Sequence, residues 1–410
     1  MRKTLVTQIA GWSVPLLSEA GALARSALMA RVIGGEELGR VMVLTLVLRL
    51  AEMLSDAGVE RFLMQRPGAV TPDFLAALHG AALVRGAVTA LFLLALSLPA
   101  ATLLPDAAGV GVHAALALVP LLRGFVHLDA RLDERALRLA PMAAVEGGSV
   151  AVMLASVPLA LTVLPDHRAI VAILLAQAGA QVALSHLVAH DPWRVRFDPA
   201  VLSQVLGFGG PLILNAALMF LTFQADRLVV SGFYGWAEVA IYGVAFQLAM
   251  LPSQIAGRAA GSLLAPRLRG LDGPALTRLA RSALAMHLLG ALAFALAFAV
   301  LAPHVIALVW GAPFRPDTLL ALALGLAAGG RILRTPLSQL AVAQGRTGDP
   351  ARANLWRAGA LGLAVAAAAL GAPLAAIAAA AALGEAAASL RALHLARDVL
   401  VHRPAVEART

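Results

Sequence analysis

There is not one cysteine among the 410 residues. That excludes disulfides, thiolate chemistry and cysteine-ligated zinc. Charge is scarce too: Asp, Glu, Lys and Arg make up 13% of the chain, against about 25% in a soluble domain. Aromatic residues reach only 5%. No GxxxxGK[ST] stretch exists to cradle a nucleotide, which argues against ATP-driven pumping on this chain. There is no HExxH pair, and His186 and His190, four apart, have no evident third ligand. No cluster of loop carboxylates suggests a metal-dependent transferase. No metal, no cofactor and no catalytic residue are expected.

What the chain has in quantity is apolar sequence. Hydrophobic residues make up 60% and the mean hydropathy is +0.83. Twelve apolar runs lie near 8–31, 40–61, 74–98, 110–128, 140–163, 168–189, 203–230, 238–258, 281–302, 318–342, 354–370 and 374–397. A bilayer core of about 30 Å takes about 20 helical residues. The expectation is an all-α polytopic membrane protein of about twelve transmembrane helices. The first run is too long for a signal-peptide core and carries Glu19 and Arg25, so it is read as the first membrane helix.

Net charge is +9 and the pI about 11.3. The basic residues sit mostly between the apolar runs, where they act as topology signals and contacts to membrane lipids. Nucleic acid is not an expected partner. One set of loops holds Arg2, Lys3, Arg66, Arg131, Arg135, Arg138, Arg194, Arg196, Arg267, Arg269, Arg278, Arg346, Arg352, Arg403 and Arg409. The other set holds little beyond Arg168 and Arg315 and opens with the acidic turn Gly34-Gly35-Glu36-Glu37. Both termini are therefore placed in the cytoplasm, with short external loops that leave no room for a catalytic domain outside.

The chain also looks doubled. "VIGGEELGRVMVL" (32–44) aligns with "FYGWAEVAIYGVA" (233–245), setting Gly34 on Gly235 and Glu37 on Glu238. Six runs fall on each side of the polar break "HDPWRVRFDP" (190–199). Two six-helix lobes, 1–192 and 193–410, are expected to be related by a pseudo-two-fold axis along the membrane normal.

Ionisable side chains inside the bilayer cost at least about 2.5–3.5 kcal/mol each on insertion scales and are kept for a reason. Here they are Glu19, Arg25, Arg49, Glu52, Asp56, Arg85, Arg123, Glu146, Asp226, Arg227, Arg258, Arg331 and Arg334. Helical spacing sorts them. Arg49, Glu52, Asp56 and Glu60 form one stripe on the second run. Asn215, Thr222 and Asp226 form one on the seventh; Gln247, Gln254 and Arg258 one on the eighth; Gln177, Gln181 and Ser185 one on the sixth; Arg331, Arg334 and Ser338 share a face on the tenth. Polar stripes on membrane helices imply an enclosed wet lumen. Arg49 with Glu52 also fits a structural ion pair, and the glutamines fit helix–helix contacts. Pro15 and Pro211 fall at similar depths in the two halves, as site-forming breaks or as static kinks.

Arg25, Arg49, Arg85, Arg123, Arg258 and Arg331 are the candidates for holding an anionic headgroup, because guanidinium suits phosphate. Asp226, Glu19, Asp56 and Glu146 are the candidates for gating or ion coupling. The repeat offset also sets Arg25 on Asp226, so an outer-gate latch between opposite charges is one expectation. The alternative is that Asp226 serves its neighbour Arg227 or caps local backbone.

Several short stretches together resemble one family. "ARVIGGEELGRVMVL" (30–44) is similar to the turn after the first helix of Wzx-type oligosaccharide flippases, in the multidrug/oligosaccharidyl-lipid/polysaccharide (MOP) exporter superfamily. Ala225, Asp226 and Arg227 resemble the end of its seventh helix. Tyr242, Ala245, Gln247, Leu248 and Pro252 resemble its eighth, and Pro266 the proline before the following cytoplasmic loop. Gly35 stands where that family has proline, and Leu38 where it has an aromatic. The resemblance implies a bacterial inner-membrane transporter. It would flip a polyprenyl-diphosphate-linked oligosaccharide outward by alternating access for surface polysaccharide synthesis, as a monomer, with protons or sodium as possible coupling ions. A cation-coupled multidrug exporter of the same superfamily is the nearest rival; a glycan polymerase or ligase would carry a large external loop.

The topology is directly testable. Glu36→Cys and Ser231→Cys should react with a membrane-impermeant thiol reagent in whole cells, and Arg135→Cys and Arg269→Cys should not. The reverse pattern inverts the assignment.

Overall fold

The computed structural model describes residues 2–103 and 109–401, with side chains described for 16–97 and 109–401 except 211, 212, 214, 215 and 221–223. The side chains of Arg2, Lys3, Pro15, Pro211, Asn215 and Thr222, and residues Arg403 and Arg409, lie outside the described set. Among the described residues there is helix and no strand.

Every expected run is helical. The first two are the arms of α1 (Arg2–Ser55), which Gly34 breaks at φ 77° and ψ −176°. A Cβ there would meet nothing, so it is the backbone conformation that calls for glycine, not space. The second run continues past a gap into α2 (Val59–Gln65) and the third is α3 (Pro72–Leu103). The fourth is broken into α4 (Val110–Leu116) and α5 (Leu118–Arg123), followed by α6 (Asp129–Arg135). Then come α7 (Ala140–Val163), α8 (Ala169–Leu187), α9 (Pro199–Phe233) and α10 (Trp236–Ala259), which passes through a π turn at Ala260–Leu264 into α11 (Ala265–Arg269). After α12 (Gly273–Val309) and α13 (Thr318–Ala343), the eleventh run is split at Gly359 into α14 (Asp349–Ala358) and α15 (Ala360–Ala369), and α16 (Leu374–Leu400) is the twelfth. Seven described helices are long and apolar enough to cross a membrane unaided: those within α3, α7, α8, α10–α11, α12, α13 and α16.

One expectation needs correction here. The stripe Arg49–Glu52–Asp56–Glu60 does not ride a continuous helix. α1 stops at Ser55, Gly58 turns left-handed (φ 70°), and the Asp56 carboxylate accepts the Gly58 N–H at 3.0 Å. The side chain that spacing assigned to a helix face instead organises a break.

The chain divides into two units, Met1–Phe220 and Leu221–Thr410, so the division falls inside α9. In the first unit, α2 packs with α3 and the start of α9: Val59, Leu63, Leu75, Leu78, Val201 and Val205 are buried together, and the Phe62 and Phe208 rings lie 5.6 Å apart. In the second, α12 turns Leu289, Leu292, Leu296 and Val300 outward, while Ala291, Ala295 and Ala299 are buried. Ala295 meets Gly325 and Ala291 meets Gly329 of α13. Large outside and small inside is the membrane pattern, because lipid solvates leucine as well as a core does and close helix approach needs small residues.

The turn after Gly34 is clamped across the first unit. Glu37 accepts from the His167 backbone N–H at 2.9 Å and the His167 ring at 2.6 Å, and pairs with Arg40. Burial pushes the Glu37 carboxyl up, but these partners outweigh it and hold it below its ordinary value.

Gly209 of α9 lies against the broken segment: a Cβ there would fall 2.2–2.6 Å from the Ala57 backbone. Gly209→Ala should therefore cost about 1–3 kcal/mol through overpacking, seen as a lower thermal-shift midpoint. Gly207→Ala meets open space and should be neutral or stabilising by up to about 1 kcal/mol.

Candidate functional site: a charge-lined cavity in the first unit

A cavity of about 460 Å³ opens inside the first unit. Its wall brings together Arg49 and Glu52 of α1, Asp56 of the break, Glu60 of α2, Arg85 and Thr89 of α3, Arg123 of α5, Arg131 of α6, Glu146 of α7, and Gln177, Gln181 and Ser185 of α8. The sixth-run polar stripe thus faces the same space as the second-run stripe, although the latter is split between helix, break and helix.

The charges are paired across helices. Glu52 binds Arg123, Asp56 binds Arg85 at 3.5 Å and Arg61 at 3.8 Å, and Glu60 binds Arg131 at 2.6 Å. Arg49 reaches Glu19 at 3.4 Å, and Glu146 accepts from Gln181 at 3.3 Å. Arg131 is shared with Glu134 at 2.7 Å. Four arginines therefore face four carboxylates in this cavity. Read along the sequence, Arg85 and Arg123 lack acidic partners; in space each has one.

The six candidate headgroup arginines do not form one cluster. Arg49, Arg85 and Arg123 line the cavity. Arg25, on the first arm of α1, points its guanidinium at the Met153 Sδ at 3.5 Å. Arg258 sits in the last turn of α10 in the second unit. Arg331 belongs to a different assembly in that unit, where three guanidiniums converge on the wholly buried Glu385 of α16: Arg331 at 2.7 Å, Arg357 at 2.8 Å and Arg334 at 3.2 Å. Arg334 also binds Asn354.

Of the gating candidates, Asp56 and Glu146 line the cavity and Glu19 holds Arg49. Asp226 is buried in the second unit, accepting the Tyr242 hydroxyl at 2.8 Å and the Arg227 backbone N–H at 3.0 Å. Arg227 turns to Gln224 and lies over the Phe246 ring. Asp226 and Tyr242, 16 residues apart, are thus one local unit.

Sequence reasoning passed over Glu60 and Arg131 as a pair, over His127 in the cavity wall, and over Glu385. A lone glutamate in the alanine-rich last run was the available signal for Glu385. His127 belongs to a ring cluster: its ring lies 4.8 Å from His79 and 5.4 Å from His186. His79 donates to the Arg194 carbonyl and accepts from the Leu128 N–H, while His127 meets Asp191 and Asp129 backbone, arrangements suited to neutral imidazoles. Glu37, Asp166 and His167 come close enough to share a cation, but both carboxylates already hold arginines.

Comparison with solved structures shows that the helical fold resembles that of MOP transporters. The model superposes on the lipid II flippase MurJ in an inward closed conformation with TM-score 0.74 at 12% identity, over 97% of this chain and 90% of that one. It matches an inward-facing multidrug resistance MATE family transporter of the MOP superfamily with TM-score 0.65 at 17% identity, over 96% and 98%. A MOP superfamily transporter from Pyrococcus furiosus, whose binding pocket is described as reversed in polarity, gives 0.53 at 14% identity, over 97% and 94%. No curated protein matches the chain by sequence. The family model "Polysaccharide biosynthesis protein" matches residues 28–317. The chain belongs to that family.

The Glu385 assembly yields a stability prediction. Glu385→Gln leaves three arginines around a neutral buried group and should cost about 3–5 kcal/mol. Arg352→Gln removes an exposed arginine from Asp349, which keeps Arg346 at 3.5 Å, and should cost about 0–1 kcal/mol. Thermal-shift midpoints compare them; equal midpoints contradict the assignment of Glu385 as a buried keystone.

Proposed function

We propose that this protein flips a polyprenyl-diphosphate-linked oligosaccharide from the cytoplasmic to the outer leaflet of the bacterial inner membrane. The observation that carries this reading is the charged cavity of the first unit, set among apolar helices in a member of the polysaccharide biosynthesis family. Arg85 and Arg123 offer bidentate donors to the diphosphate. Gln177, Gln181 and Thr89 offer neutral hydrogen bonds to sugar. The prenyl chain stays in lipid between helices. Two lobes alternate access, both termini face the cytoplasm, and the monomer is the working unit. Protons or sodium supply the coupling through Asp56, Glu146, Glu19 or Asp226. No covalent chemistry is needed: the cargo changes side and nothing else.

One observation favours a second reading. The cavity holds as many carboxylates as arginines, and carboxylates would suit an organic cation, as in a multidrug exporter.

Reconstituted vesicles separate the two. Arg85→Ala and Arg123→Ala should each slow flipping of a lipid-diphosphate glycan by about tenfold or more at unchanged membrane levels. Lysine replacements should recover only part, since an ammonium lacks the planar fork. Wild-type flipping in both alanine variants, or efflux of cationic dyes with no flipping, would sink the diphosphate reading.

A further inference from the structure

The cavity poses an electrostatic problem for any anionic cargo. Its four arginines are matched by four carboxylates. A diphosphate diester brings two negative charges. Placed in an already balanced cavity, those charges would leave a net negative interior surrounded by apolar helices, which is costly unless it is neutralised.

The pairs differ in how firmly they are held. Glu60 shares Arg131 with Glu134, at 2.6 and 2.7 Å, so that arginine is committed on both sides. Arg123 has one carboxylate, Glu52, and its buried Nε makes no hydrogen bond, so the guanidinium keeps donor capacity for another oxyanion. Arg85 meets Asp56 at a loose 3.5 Å, and Asp56 sits in the helix break rather than on a regular helix. Glu52 and Asp56 are half-buried and line the same cavity as both arginines.

We propose, resting on the anionic-cargo reading above, that Glu52 and Asp56 are displaceable counter-ions whose release makes cargo binding a proton-uptake step. The incoming diphosphate takes Arg123 from Glu52 and Arg85 from Asp56. Each freed carboxylate then faces a di-anion in place of a guanidinium. Loss of the opposite charge, gain of a like charge and exclusion of water all favour its protonated form. Each carboxylate takes one proton from bulk water and becomes a carboxylic acid, whose O–H can donate to a phosphate or sugar oxygen. With both protonated, the loaded cavity returns to the charge balance of the empty one.

The surroundings are consistent with this order. Arg61, the second partner of Asp56, is 3.8 Å away on an exposed side chain, a solvent-screened contact that contributes little. Glu60 keeps Arg131, Arg49 remains near Glu19, and Glu146 faces Gln181. None of these supplies Glu52 or Asp56 with a replacement cation. Glu52 and Asp56 are the cavity carboxylates whose arginine partners the cargo takes.

The test uses the full-length protein in lipid nanodiscs and dimethyl diphosphate, whose two charges do not titrate near neutrality. Calorimetric titration in two buffers of different ionisation enthalpy counts protons taken up per anion bound. Wild type should take up about one to two. Glu52→Gln removes the competitor for Arg123, so it should bind the anion about tenfold more tightly and take up fewer protons. Asp56→Asn should shift both quantities the same way and carries the test if Glu52→Gln unfolds. Binding without proton uptake overturns the inference and leaves the cargo reading standing. So does weaker binding in both variants at unchanged thermal midpoints, since the carboxylates would then merely position the arginines. If neither wild type nor variants bind the anion, while a lipid-linked glycan with the diphosphate removed still binds, the anionic-cargo reading itself fails, and the inference with it.

Discussion

A charge removed from water in a membrane protein must find an opposite charge, and in this chain that requirement organises nearly every polar feature. The second span supplies Glu52, Asp56 and Glu60; three separate elements answer with Arg123, Arg85 and Arg131. The pairs tie α1, its broken continuation, α3, α5 and α6 around one space. Because the carboxylates come from one strip of chain and the arginines from three helices, the network also sets where those helices stand. These groups stay partly exposed at the cavity wall rather than packing out against apolar side chains.

The second unit answers the same requirement differently. Glu385 has no exposure and three arginines at 2.7–3.2 Å. Asp226 is closed off by Tyr242 and local backbone. These carboxylates are enclosed by donors on the same unit, so exchanging a partner there means opening the core. In the first unit the paired groups border a cavity. The contrast separates charge enclosed between helices from charge that faces open space. It is the reason Arg331, an attractive ligand candidate from its depth alone, reads in three dimensions as a structural partner of Glu385.

The match to the polysaccharide biosynthesis family covers residues 28–317, and the structural likenesses run across nearly the whole chain at 12–17% identity. Within this chain the helices of the second unit approach through small residues, such as Ala291 and Ala295 against Gly329 and Gly325. The lining of the first unit's cavity is balanced in charge rather than basic.

The helices were legible in the sequence because the signal for each is local. About 20 apolar residues with few charges must form a helix in lipid, since no other structure satisfies the backbone there. All twelve runs are helical accordingly, and the faces of the sixth and second runs that carry polar residues do meet one cavity. The breaks were less visible: Gly58 and Gly359 are single residues whose effect depends on what packs beside them. Pairing was not legible at all. Asp56 and Arg85 are 29 residues apart, Arg331 and Glu385 54, and Glu52 and Arg123 71. Helical periodicity orders side chains on one helix and says nothing of which helix lies opposite. By itself the sequence determined that this chain lives in a membrane and which residues are too polar to face lipid. Only the tertiary structure decided which of those charges neutralise one another, because that depends on contacts between helices distant in the chain.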